Sequence, residues 1–145
     1  MKSFRFKLDQ AHRWRAAQVD VAKARAAAAV ALQAGIQSRI DTRRTELATA
    51  GADVTKGGSA LQLWPAWKDR CDRDIAQLEQ AAKAAEQEVA KAMQQLVVAN
   101  QNAQVLEKLR STQLAHWTVE AGRELEAFAG ETFLRQVTIG KRRGA

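Results

Sequence analysis

Proline occurs once, at Pro65, tyrosine not at all, and the eight glycines leave two very long stretches almost untouched. So few breakers exclude a loop-rich fold. Strand signals are equally scarce: nowhere does a sustained alternation of Val, Ile, Thr and aromatics run between turn residues. The single cysteine, Cys71, cannot close an intrachain disulfide, and nothing else indicates an oxidising compartment, which favours the cytoplasm. The opening from Met1 to Leu8 is charged throughout and lacks the apolar core of a signal peptide, so none is expected. The apolar run from Ala26 to Leu32 falls far short of the roughly 20 residues that span a bilayer.

What fills the long stretches is Ala, Gln, Glu, Lys, Arg and Leu, side chains that lose little rotamer freedom in a helix. An all-α chain follows. The formal charge of +7 is unevenly spread. Residues 1 to 50 carry ten Lys or Arg against four Asp or Glu, residues 59 to 134 carry eight against eleven, and the last eleven residues add four bases and no acid. A basic first helix and an acidic second one favour pairing with each other.

One segment reads as a break, Gly51 to Gly58, with three glycines and an aspartate in eight residues. It predicts helix one over about 7–50, a glycine turn over 51–58, helix two over about 59–137 and a frayed basic tail over 138–145, all in one coiled-coil domain. Ser59 with Gln62 suggests a capping box, and Pro65 fits a first turn or a kink between a short lead-in and the main helix.

Hydrophobic periodicity says what these helices do. Alternating steps of four and three from Cys71 land on Ile75, Leu78, Ala82, Ala85, Val89, Ala92, Leu96, Ala99, Ala103 and Leu106, eleven apolar positions out of eleven, which is a coiled-coil seam. The same stepping from Leu8 meets His12, Arg15, Gln33 and Arg43, so only eight of twelve positions to Leu47 are apolar and the seam in helix one is weaker. Many of the seam residues are alanines, each of which stabilises far less than a leucine, at about 0.8 kcal/mol per buried carbon unit. An eight-residue connection allows only an antiparallel return, with Leu47 near Trp64 and Leu8 near Leu106. The fold class is thus an all-α antiparallel two-helix coiled-coil hairpin. At ~1.5 Å per residue helix one spans roughly 65 Å and helix two roughly 110 Å, so helix two outlasts its partner by about thirty residues. Beyond Leu106 the apolar residues, among them Leu114, Trp117, Leu125, Phe128 and Phe133, follow a shifted, wider stripe that awaits a partner. The basic N-terminal segment, with Phe4, Phe6, Arg13 and Trp14, is expected beside the root of this overhang, forming one interaction end with it.

Chemistry is poorly represented. Neither His12 nor His116 is expected to hold a metal or to serve in acid-base chemistry. In Asp69 to Asp74 the acids surround a thiol, but Arg70 and Arg73 are placed to neutralise them on a solvated face. Thr55 to Ser59 lacks the order of a phosphate loop. A two-helix hairpin offers no pocket that excludes water, so neither catalysis nor a cofactor is expected. Four tryptophans, Trp14, Trp64, Trp67 and Trp117, exceed what two helices can bury and argue for interfaces.

Three segments carry a family likeness: Phe4-x-Phe6-x-Leu8; Trp64-x-x-Trp67 followed by Ile75 to Glu79; and Leu106 to Leu109 with Trp117 and the Glu-rich stretch to Glu131. Together they resemble the FliJ family of flagellar export proteins and its type III secretion relatives. The resemblance implies a non-enzymatic cytoplasmic stalk, peripherally associated with the inner-membrane export apparatus and similar to the two-helix part of the rotary ATP synthase gamma subunit. Such a stalk sits in the hexameric export ATPase, promotes its assembly and activity, and links it to the export gate membrane protein and to export chaperones. No small-molecule substrate and no nucleic acid is implied. The ATPase or chaperone contacts would fall on Phe4, Phe6, Arg13, Trp14, Trp117, Leu125 and Phe128. The gate contact would fall on Trp64, Trp67, Cys71, Ile75 and Leu78. Here the sequence departs from the family pattern: counting from Trp67 gives Arg70, Asp74 and Gln77 where an apolar face is expected, and the shifted set Cys71, Ile75 and Leu78 doubles as the seam. Two rival readings are a basic helical nucleic-acid binder using residues 2–15 and 135–143, and an unrelated parallel coiled coil made from two chains.

Overall fold

In the computed structural model, which describes residues 2–58 and 60–144, the chain forms two long helices packed against each other and, among those residues, no strand. Helix α1 is Asp9–Val54 and α2 is Ala60–Arg143. The capping box expected at Ser59 lies outside the described residues.

The first turn of α1 is closed by the His12 amide donating to the Leu8 carbonyl at 2.8 Å, with Asp9 placing a negative charge at the positive end of the helix dipole. The helix continues four residues past its expected end, through Gly51 to Val54. A single glycine costs a helix only about 1 kcal/mol and does not end it. The stop comes from Gly57 and Gly58, whose φ values of 84° and 124° lie where other residues are strained. Pro65 lies inside α2, one turn past its start, and forgoes one amide donor in an exposed turn. The basic tail is helical to Arg143 rather than frayed: Lys141, Arg142 and Arg143 fill the last turn, where cations complement the dipole.

The contacts divide the chain into two units, Ala17–Asn100 and Met1–Ala16 with Gln101–Ala145. Inside the first, the expected seam is realised: no position from Cys71 to Ala99, nor from Val19 to Leu47, is exposed, including Gln33 and Arg43. Its buried residues are Val19, Ala22, Ala26, Ile40, Cys71, Ala85 and Ala92, a narrow core in which alanines let the helices come close. The charge asymmetry between the helices is realised locally, as Arg44 pairs with Glu79 at 2.7 Å and Arg43 with Asp74 at 3.5 Å.

Inside the second unit the register differs from the one expected. Leu8 is 42% exposed, and the apolar anchor is Phe6, which is buried. His12 reaches Glu107 at 2.5 Å, so the N-terminal segment lies further along α2 than a Leu8 to Leu106 pairing would place it. Residues 2–6 continue as a non-helical strap whose Phe4 meets Trp117. An extended strap gains about 3.3 Å per residue against 1.5 Å for a helix, which explains the longer cover. After Leu106 the half-buried positions of α2 become Arg110, Leu114, Trp117, Ala121 and Gly122. The uncovered stretch therefore starts at Arg123, not at Leu106, and every residue from there to Gly144 is exposed.

Candidate protein-interaction site

The strap and α2 form an open groove lined by Lys2, Phe4, Arg5, Thr112, His116 and Trp117 among others. Its floor is aromatic: the Phe4 and Trp117 ring centroids are 6.0 Å apart at 57°. Its rim carries Lys2 and Arg5, while His116 faces Glu120 at 3.5 Å. The groove is open to solvent.

The seven residues expected to meet an ATPase or chaperone fall into three groups. Phe6 is buried and meets His12 edge-on at 6.4 Å, so it anchors the strap rather than offering a contact. Phe4 and Trp117 are half-buried against each other. Arg13, Trp14, Leu125 and Phe128 point outward, Arg13 paired with Asp9 at 3.1 Å and Trp14 capped by the Arg15 guanidinium 4.8 Å from its ring. Trp14 is 55% exposed and Phe128 70%.

Of the five residues expected at an export gate, Trp64 and Trp67 form a half-exposed aromatic pair with centroids 5.5 Å apart. The Trp64 indole lies over Gly51, 3.4 Å from where a Cβ would stand. Cys71 is 2% exposed and presents no surface to a second protein, while Ile75 and Leu78 are half-buried in the seam.

Sequence reasoning missed the His12 to Glu107 pair, because the partners are far apart in the chain and no spacing rule connects them. It also assigned the wrong partners to the acids near Cys71. Asp72 is met by Lys68 at 3.6 Å and Asp74 by Arg43, while Arg73 turns back to the Asp69 carbonyl at 3.3 Å. Among the described residues no three of His, Cys, Asp and Glu gather closely enough to hold a metal ion, and no helix is long and apolar enough to cross a membrane.

The two packed helices define a helical hairpin, and the end of α2 exposes Leu125, Phe128, Phe133 and Leu134. Comparison with protein-family models, curated proteins and solved structures returns no match.

Proposed function

We propose that the chain is a non-enzymatic stalk of the flagellar type III export apparatus, working in the cytoplasm on the periphery of the inner-membrane export machinery. In this reading it binds the hexameric export ATPase, promotes ring assembly and turnover, and connects the ring to the export gate and to export chaperones. The observation that carries it is the end of α2, where Leu125 and Phe128 are 58% and 70% exposed on a helical stretch that no other described residue covers. Exposed aromatic and aliphatic side chains of this kind supply binding energy by desolvation, while the basic strap residues Lys2 and Arg5 orient an approaching acidic surface. The half-exposed Trp64 and Trp67 pair supports a gate contact early in α2.

The test is ATP turnover by the purified export ATPase with and without the chain. Stimulation that falls in Phe128→Ala and Leu125→Ala, with helix content unchanged by circular dichroism, is the expected outcome. Full stimulation by both variants removes the site, and no stimulation by the native chain removes the function.

A further inference from the structure

The end of α2 carries a charge pattern that is complementary to itself. At about 100° per residue, Ala121, Leu125, Phe128, Thr132 and Ile139 fall within an arc of about 60°, a mainly apolar stripe that Arg143 ends, while Phe133, Leu134 and Val137 lie on other faces. Along one edge of that stripe, about 70° away, Glu124, Glu131, Arg135 and Arg142 fall within an arc of about 40°. Their spacing is symmetric about Phe133: Glu131 and Arg135 each lie two residues from it, and Glu124 and Arg142 each lie nine. Residues 120 to 131 hold four acids and one base, and residues 132 to 143 hold four bases and no acid.

We propose that this end of α2 pairs with the same segment of a second copy, antiparallel, about a two-fold axis at Phe133. In such an isologous contact an edge of one helix lies against the same edge of its mate, and residues equidistant from the axis face each other. Glu131 then meets Arg135 of the other copy and Glu124 meets Arg142, each pair formed twice. Leu125, Phe128 and Ile139 are covered, and Phe133 stands at the axis on the far side of the stripe. A parallel pairing gains none of these ion pairs, since it sets the charged edge against the edge bearing Phe133 and Val137 and brings like-charged halves together. The inference does not rest on the export reading, and either can fail alone. If both hold, a protein docking on Leu125 and Phe128 must displace the second copy.

Sedimentation velocity of the full chain over micromolar concentrations tests it. The native chain should pass from monomer to dimer, more weakly as salt rises. Glu124→Arg with Glu131→Arg makes the whole edge basic, and Arg135→Glu with Arg142→Glu makes it acidic; all four positions are exposed, so helix content should hold. Each double variant alone turns four attractions into repulsions and should self-associate on the order of a hundredfold more weakly. Mixed together, the two should form a heterodimer at least as tight as the native pair. A native chain that stays monomeric throughout, as it would if only an unrelated helix fits this face, overturns the proposal. So does a dimer indifferent to both double variants, or a mixture that stays monomeric.

Discussion

The Phe4 ring packs against the Trp117 indole at 6.0 Å between centroids, and with buried Phe6 it holds a non-helical strap on α2. A strap without a hydrogen-bonded ladder is retained by such contacts alone, each aromatic pair contributing about 0.5–1.5 kcal/mol beyond its buried area. Phe4→Ala should therefore release residues 2–5 while leaving α1 intact. Trypsin should cut after Arg5 several-fold faster in the variant, and an unchanged rate would show that Phe4 does not hold the strap.

Ile40 is 2% exposed in a core composed largely of alanines, so its side chain is among the few of any size that the helix pair buries. Ile40→Ala should cost about 2–5 kcal/mol, because it removes a buried side chain and leaves a cavity in a thin seam. That is a large share of the stability of a small domain, and urea unfolding should show a much lower midpoint. Leu125→Ala, at an exposed position, should leave the midpoint almost unchanged.

The glycines divide by conformation. Gly35 is helical and a Cβ there would meet nothing within 4 Å, so Gly35→Ala should stabilise by about 0.5–1 kcal/mol. Gly58, at φ 124°, should lose about 1 kcal/mol or more on the same change. Thermal melts should shift in opposite directions, and a rise in both would mean that Gly58 does not need its backbone angle to make the turn.

The seam was legible because period is a property of the sequence itself. Gln33 and Arg43 kept their seam places although they are polar, since apolar neighbours three and four residues away fix which way the helix faces. The strap was not legible in the same way. Phe4-x-Phe6 alternates as an extended chain does, but two residues are too few to carry a period, and the helical reading from residue 7 drew Leu8 into the seam in place of Phe6. The end of α1 was misplaced for a related reason. Gly51 looks like Gly57 in the sequence, and only the backbone angle separates a tolerated glycine from a required one.

Cys71 tests whether the early part of α2 works through its seam or beside it. The thiol is free and 2% exposed, so a disulfide reagent should react with the native chain far more slowly than with the chain in urea, at a rate set by opening of the helix pair. If the gate contact used Cys71, Ile75 and Leu78 directly, α1 would have to leave α2 first, and gate binding would accelerate the labelling. If the contact uses only the half-exposed Trp64 and Trp67, labelling should stay slow in the complex, and Trp67→Ala should weaken binding where Cys71→Ala does not. The indole pair is already at the surface and requires no opening. Slow labelling with gate binding intact is therefore the expected result, and fast labelling on adding the gate protein would transfer the contact to the seam.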